Sequence, residues 1–262
     1  MMEPFRLTQG NAPVLVSFPH VGTHVPAQVS ECLTPAARGV PDTDWEVDRL
    51  YNFVQALGAS TIVATHSRYV VDVNRPSDGA SLYPGQVTTG TVPSTSFEGE
   101  PLYLPGREPD EAEVARRIAT VWQPYHQALA GELARLQAQH GRVLLWEAHS
   151  IRTRLPRLFD GALPELNIGT NDGASVREGL GEALLEIAER SPYSAVLNGR
   201  FKGGYITRHF GRPEQGIEAV QLELTQLTYM DDDERRFDEG RAEKLRPVLQ
   251  EMMRYAVGAV TR

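Results

Sequence analysis

Residues 144–150 read Leu-Leu-Trp-Glu-Ala-His-Ser, and residues 14–20 read Val-Leu-Val-Ser-Phe-Pro-His. Each segment is an apolar run of strand length that stops at a histidine and a loop. Open α/β sheets place their functional groups at the carboxyl ends of strands. The two segments therefore predict an α/β protein in which His20 and His149 meet at one edge of a sheet.

The composition is that of an ordinary globular protein of 262 residues, with 41% hydrophobic and 23% charged residues. A formal net charge of −8 argues against nucleic-acid binding, which needs a clustered basic surface. No apolar run approaches the ~20 residues that span a bilayer, and Met1–Phe5 lacks the features of a secretion signal. With a single cysteine, Cys32, we expect a cytoplasmic protein without internal disulfides. We further expect that the protein contacts no membrane and is a monomer or a small homo-oligomer.

The order of apolar segments predicts a single domain over residues 1–262, with three α/β/α layers around a mixed, mostly parallel sheet. Predicted strands cover 13–18, 60–65, 69–73, 142–147, 194–197 and 217–224. Predicted helices cover 43–57, 109–140, 175–190 and 233–260, with capping boxes at Thr43–Glu46 and Ser175–Glu178 and a bend near Pro124. Segment 76–107, which is rich in Gly, Pro, Ser and Thr, is predicted to be a long loop that is either functional or mobile, and its closure over a substrate stays open.

The two strand-end histidines are candidate metal ligands, with His24 as a competitor of His20. Hydrolytic zinc sites take three protein ligands and leave a position for water, so a nearby loop must supply a third histidine or a carboxylate. Asp44 is a candidate, although an acidic residue there could instead favour the dipole of a helix start. A buried histidine at a strand end can also be a hydrogen-bonded core residue.

Four charged or polar side chains could serve an anionic substrate. Asn74 and Arg75 leave a predicted strand just before the long loop, where they could present an amide and a planar guanidinium to a carboxylate. Arg75 could instead make a weak surface pair with a nearby aspartate. Lys202 and Arg208 lie around a glycine-rich turn that forms either a second cationic site or a solvated loop.

Glu223 lies inside the apolar strand predicted at 217–224. Alternation explains it as part of an outward polar face, together with Gln221. If Glu223 instead faces the metal edge, burial would raise its pKa toward the range of a general base.

Seven segments together resemble the N-formylglutamate amidohydrolases, the deformylases that finish one branch of histidine degradation. The segments are Ser17–His20, Asp42–Trp45, Asp72–Pro76, Ala148–Arg152, Arg157–Gly161, Asn198–Gly204 and Gln221–Leu224. They cover nearly the whole chain in order, and the combination is specific although no single segment is. The resemblance implies metal-dependent hydrolysis of the formamide bond of N-formyl-L-glutamate.

That family is distantly similar to zinc carboxypeptidases and aspartoacylases, which implies a zinc-carboxypeptidase-like fold. The resemblance further implies a site with Zn²⁺ or another divalent transition metal. Its residues would be His20, Asp44 and His149 as metal ligands, Glu223 as the catalytic glutamate, Asn74 and Arg75 on one substrate carboxylate, and Lys202 or Arg208 on the other. Asp44 departs from the carboxypeptidase pattern, in which the carboxylate ligand lies within a turn of the first histidine.

A second departure is Glu147, because the family pattern implies an aspartate two residues before the strand-end histidine. A longer side chain there would alter the tuning of the metal site rather than abolish activity. Two other functions stay open: hydrolysis of another N-acyl amino acid or a peptide carboxyl end, and non-catalytic binding of acidic metabolites.

Overall fold

One mixed sheet of seven strands runs through the computed structural model, which describes residues 2–80 and 88–261. The strands are β1 (Phe5–Thr8), β2 (Val14–Phe18), β3 (Ser60–Ala64), β4 (Val143–Ile151), β5 (Leu166–Gly169), β6 (Ala195–Leu197) and β7 (Ile217–Thr225). Their order is β1-β3-β2-β4-β7-β5-β6, with β1–β3 and β5–β7 antiparallel and the remaining pairs parallel. The predicted mixed, mostly parallel sheet is confirmed.

Helices cover both faces of the sheet, which confirms the three-layer α/β/α architecture. The helices are α1 (Ala27–Ser30), α2 (Val47–Leu50), α3 (Glu111–Arg117), α4 (Gln123–His140), α5 (Leu180–Glu189), α6 (Tyr205–Phe210) and α7 (Glu239–Val260). The core under α2, α5 and α7 contains Trp146 and Leu222, and the opposite core under α4 and α6 contains Leu145 and Ala219. Within the described chain, none of these helices combines the length and the apolar content of a membrane crossing.

The three strands at the centre of the sheet determine where the polar residues gather. β2, β4 and β7 are mutually parallel, so their carboxyl ends meet at one edge. All nine residues of β4 are buried because helices cover both of its faces. His20 follows β2 at this edge, while His149 and Glu223 lie near the ends of β4 and β7.

The predicted helix 43–57 is wrong in its extent, since α2 has a single turn and irregular turns follow it to Gly58. Glu46 has a left-handed φ of 52°, which a right-handed helix does not accommodate. Thr43 donates its hydroxyl to the Val40 carbonyl instead of capping a helix. The backbone here is held by its contacts with the site rather than by helical hydrogen bonds, since the Asp44 N–H donates to the His20 carbonyl at 3.0 Å.

The predicted break near Pro124 takes the form of a π-helical turn, Ile118–Trp122, between α3 and α4. Proline has no N–H to donate to the preceding turn, so the α-helical ladder is interrupted there. The last predicted helix, 233–260, begins later than expected, at Glu239, where the Asp238 side chain accepts the Arg241 N–H.

Other local predictions are wrong where distant contacts decide the structure. Residues 69–73 lie in turns and irregular backbone instead of a strand, because the Asp72 N–H donates to the Thr91 carbonyl. Ser175 does not cap α5, since its hydroxyl donates to the Ala219 carbonyl in β7. β5 and α6 arise in segments that showed no clear periodicity. Of the predicted loop 76–107, residues 81–87 lie outside the described residues.

Candidate metal centre

The register of the sheet aligns polar residues of neighbouring strands on one face. β4 and β7 pair with His149 opposite Glu223. Because alternate residues of a strand share a face, Glu147 and His149 lie on the α4–α6 side with Leu145, and Glu223 lies on the same side. His20 follows β2, the strand that pairs with β4 on the edge opposite to β7. The strand ends therefore bring both histidines and Glu223 together.

His20, Asp44 and His149 form a compact buried group. One ligand atom of each lies within 4.8 Å of the others. Asp44 Oδ2 lies 2.9 Å from His149 Nδ1 and 3.7 Å from His20 Nδ1. His24, the competing candidate, instead packs against His66, with 4.8 Å between the ring centroids.

The second ring nitrogen of each histidine faces a buried carboxylate. His20 Nε2 lies 2.7 Å from Asp72 Oδ1, and His149 Nε2 lies 2.8 Å from Glu147 Oε1. When the ring is neutral, a carboxylate at Nε2 favours the tautomer with the proton on that nitrogen, which leaves the Nδ1 lone pair for a cation. Both Nδ1 atoms are the ones nearest Asp44, so the two rings are oriented for a shared cation.

Glu147 supports His149 in spite of being longer than the expected aspartate. Its Oε1 contacts the imidazole, while its Oε2 accepts hydrogen bonds from the N–H of Thr207, at 3.2 Å, and from the Thr207 hydroxyl. α6 therefore provides a place for the extra length of the side chain, and the carboxylate–histidine contact is kept.

Arg68 and Asp72 are parts of the centre that sequence reasoning missed. Asp72 Oδ2 pairs with the Arg68 guanidinium at 2.6 Å, and its Oδ1 also accepts the Asn74 N–H at 2.9 Å. Arg68 donates to His20 Nδ1 at 3.4 Å, in agreement with a lone pair on that nitrogen. An i,i+4 arginine–aspartate pair around the apolar run 69–71 is the signal that could have identified them.

The centre holds an excess of buried negative charge. Arg68 is a buried guanidinium at this centre, 6% exposed. Four carboxyl groups around it are at most 7% exposed, those of Asp44, Asp72, Glu147 and Glu223. Buried carboxylates need compensating charge. Imidazole and carboxylate donors suit zinc and other transition metals, and a divalent cation would offset this excess, so the residues fit such an ion.

The pKa values of the titratable groups at this centre reflect the same excess of buried negative charge. Burial raises the pKa of Glu223 to about 8, against the opposing effect of His149. Burial alone would lower the pKa of His149, but Glu147 and Asp44 outweigh it and hold that pKa well above the ordinary value. Although burial acts in the opposite direction, the neighbouring histidines keep the pKa of Asp44 below its usual range. Without a metal, protons therefore compensate the buried carboxylates.

We expect the metal-free protein to lose stability as the pH rises from about 6.5 to about 8. In this range folded Glu223 and His149 retain protons that the unfolded chain releases, whereas the buried His66 and His126 are neutral in the folded chain and are losing their protons in the unfolded chain as well. The folded state binds more protons, so the free energy of unfolding falls with pH. Urea unfolding of chelator-treated protein measures this slope, and Glu223→Gln should make it shallower. A slope unchanged by this substitution would contradict the assignment to Glu223.

A cavity lies over the centre and opens to solvent. It brings the candidate metal ligands and Glu223 together with the predicted substrate-binding pair Asn74 and Arg75. The described residues that line it include His20, Asp44, Arg68, Asn74, Arg75, Phe97, His149, Ser150, Arg200, Gln221 and Glu223.

The interrupted helix holds the segment that carries Asn74 and Arg75. Trp122, the last residue of the π-helical turn, donates its indole N–H to the Arg75 carbonyl at 2.8 Å. One turn later, His126 Nε2 lies 2.7 Å from the Val73 carbonyl. The backbone on both sides of Asn74 is thereby attached to one helix.

Lys202 and Arg208, which were predicted to bind a substrate carboxylate, are not among the described residues that line this cavity. Lys202 Nζ pairs with Asp172 at 3.0 Å, and Arg208 Nε donates to the Gly203 carbonyl at 2.8 Å. Gly203 has a φ of 118°, which favours glycine, and the chain turns there. Lys202 consequently lies against Asp172 instead of the cavity.

Arg200, from the same glycine-rich segment, does line the cavity. Its Nε donates to the Leu158 carbonyl at 2.9 Å, and its guanidinium carbon lies 5.3 Å from the centre of the Phe201 ring. Arg200 belongs to a motif that carries the family resemblance, but its spacing does not distinguish it from Lys202. The turn that separates the two is visible only in the folded chain.

Known proteins resemble this chain over nearly its whole length. A family model described as N-formylglutamate amidohydrolase matches residues 12–230. The chain is 51% identical to an N-formylglutamate deformylase of Pseudomonas aeruginosa, covering 97% of this chain and 96% of that protein. It is 49% identical to one of Pseudomonas putida, covering 94% and 92%. The crystal structure of an N-formylglutamate amidohydrolase from Ralstonia eutropha JMP134 has a TM-score of 0.82 at 27% identity, covering 97% of each chain.

Proposed function

Because this chain belongs to the N-formylglutamate amidohydrolase family, we propose that it hydrolyses the formamide bond of N-formyl-L-glutamate to formate and L-glutamate. This reaction would end one branch of histidine degradation in the cytoplasm. The observation that carries the proposal is one cavity that unites a His20–Asp44–His149 group, a buried glutamate and guanidinium groups.

In this proposal His20, Asp44 and His149 hold a divalent cation, with Zn²⁺ as the first choice among metals that accept these donors. When bound, the cation would polarise the formyl oxygen and lower the pKa of a water molecule. Arg68 lines the same cavity and offers positive charge to the oxygen of the tetrahedral intermediate.

Glu223 is the general base of the proposed reaction. It accepts a proton from the attacking water, whose oxygen forms a bond with the formyl carbon. When the carbon–nitrogen bond breaks, Glu223 returns the proton to the departing amine. Its buried position on β7, opposite His149, supports this role, since a raised pKa suits both steps.

The two carboxylates of the substrate call for two cationic contacts. Asn74 and Arg75 are proposed to bind one carboxylate through an amide and a bidentate guanidinium. For the other we propose Arg200 in place of Lys202 or Arg208, because Arg200 lines the cavity and the latter two do not.

We expect Arg200→Ala to lower kcat/KM for N-formylglutamate by about 10- to 100-fold, since a guanidinium–carboxylate contact is lost. Lys202→Ala should have a much smaller effect, because this lysine pairs with Asp172. N-formylglutamine, which lacks the side-chain charge, is the diagnostic substrate. If Arg200 binds that carboxylate, Arg200→Ala should reduce the preference for N-formylglutamate over N-formylglutamine. An unchanged preference at a lowered kcat/KM would assign Arg200 to the α-carboxylate instead, and a larger effect of Lys202→Ala would contradict the role of Arg200.

Formate release from a panel of N-formyl amino acids, with and without a chelator, tests the proposal as a whole. We expect N-formyl-L-glutamate to be the best substrate, and activity to disappear with the chelator and return with Zn²⁺. Faster release of another acyl group, or of the C-terminal residue of a peptide, would identify a different hydrolase. Binding of N-formylglutamate without turnover by the metal-loaded protein would indicate a non-catalytic binder.

A further inference from the structure

Asp44 lies on an irregular segment of the chain, 24 positions after His20. The two histidines of the candidate centre are held by strand ends, whereas Asp44 precedes the single turn of α2. A loop carboxylate that is free to move would have to be ordered when a metal binds, and this ordering would weaken the affinity. Other residues must therefore hold Asp44 in place.

Two buried side chains bind the backbone on either side of Asp44. Gln226 Nε2 donates to the Thr43 carbonyl at 3.0 Å, and the Tyr229 hydroxyl donates to the Trp45 carbonyl at 2.6 Å. Both donors follow directly after β7, the strand that carries Glu223. They are 2% and 0% exposed, so water does not compete for these hydrogen bonds.

We call the two contacts made by Gln226 and Tyr229 the clamp. Ser150 connects this clamp to the Asp44 carboxylate. The Tyr229 hydroxyl, which donates to the Trp45 carbonyl, also lies 2.7 Å from Ser150 Oγ. The Ser150 N–H in turn donates to Asp44 Oδ2 at 3.2 Å. The Asp44 carboxylate is thus connected to β4 directly and to the segment after β7 through buried hydrogen bonds.

We propose that Gln226 and Tyr229 are positioning residues that hold Asp44 in the metal-binding arrangement and thereby raise metal affinity. The proposal rests on the metal centre of the proposed function. Because the clamp replaces the regular structure that the segment lacks, Asp44 can serve as a ligand although it lies far from His20 in sequence. Hydrogen bonds outside the ligand shell typically change metal affinity by about 10- to 100-fold.

The test compares Tyr229→Phe with Tyr51→Phe, both of which remove one buried hydroxyl. The Tyr51 hydroxyl lies 3.2 Å from the indole nitrogen of Trp146 and makes no hydrogen bond to residues 43–45 in the described structure. Zn²⁺ affinity is measured by competition with a chromophoric chelator, and metal-free stability by urea unfolding. We expect Tyr229→Phe to weaken zinc binding by about 10- to 100-fold, and Tyr51→Phe to leave it nearly unchanged at a similar loss of stability.

Gln226→Met provides a second variant if Tyr229→Phe does not fold. It removes the contact with Thr43, and the Gln226 Oε1 atom makes no hydrogen bond that would be lost with it. Parent-like zinc affinity in both folded variants, or an equal loss in Tyr51→Phe, would overturn the positioning role alone. A parent protein without zinc affinity would overturn the metal centre and this proposal with it.

Discussion

Glu223→Gln is expected to lower kcat for N-formylglutamate by about 10²- to 10⁴-fold, the range that general acid–base groups contribute. Glutamine keeps the size of the side chain and its place on β7 opposite His149. Its amide cannot accept a proton from water or return one to an amine. Glu223 is not part of the His20–Asp44–His149 group, so the variant should bind metal as the parent does.

The pH profile distinguishes loss of a base from a distorted site. The base must be ionised to act, so kcat/KM of the parent should fall as the pH drops below the pKa of Glu223 in the loaded enzyme. In Glu223→Gln the residual rate should lack this acidic limb, and Glu223→Asp should retain it at a reduced rate. A near-parental kcat in the glutamine variant, with metal bound, would eliminate Glu223 as the base.

Arg75→Ala is expected to reduce kcat/KM by an amount that corresponds to about 2–5 kcal/mol, chiefly through KM. In the desolvated cavity the substrate carboxylate would lose its bidentate partner and remain buried without compensation. Arg75→Lys should recover only part of the loss, because an ammonium lacks the planar fork. Metal content should stay at the parental level, since Arg75 lies outside the ligand group.

Thr88→Ala is the matched control for Arg75→Ala, because Thr88 lines the same cavity without a charge. Its effect on KM should be small. Steady-state kinetics of both variants over a range of N-formylglutamate concentrations separate KM from kcat. Equal changes in KM for the two variants would refute the role of Arg75 in substrate binding, and a lowered kcat at unchanged KM would assign Arg75 to another step.

Much of the candidate site could be predicted because short segments of the sequence indicate where its residues lie. An apolar run that ends in a histidine indicates a buried strand end, and two such runs gave the correct edge of the sheet for His20 and His149. The position of Glu223 within an apolar strand did not determine whether its side chain lies on an outward face or faces the metal site. The parallel pairing with β4 decides between these two orientations. The helix 43–57 was wrong because local helical periodicity was outweighed by contacts of the Asp44 segment with the site.

The sequence by itself determined the α/β class, the strand ends that carry the histidines, and the family. Only the tertiary structure decided that Arg68 and Asp72 stand behind His20, that Arg200 rather than Lys202 lines the cavity, and that buried side chains after β7 hold Asp44. The physical reason is the separation along the chain of the residues that determine each feature. Strand periodicity is set by neighbouring residues, whereas turns and buried hydrogen bonds join residues far apart in the chain, and their partners are known only once the fold brings them together.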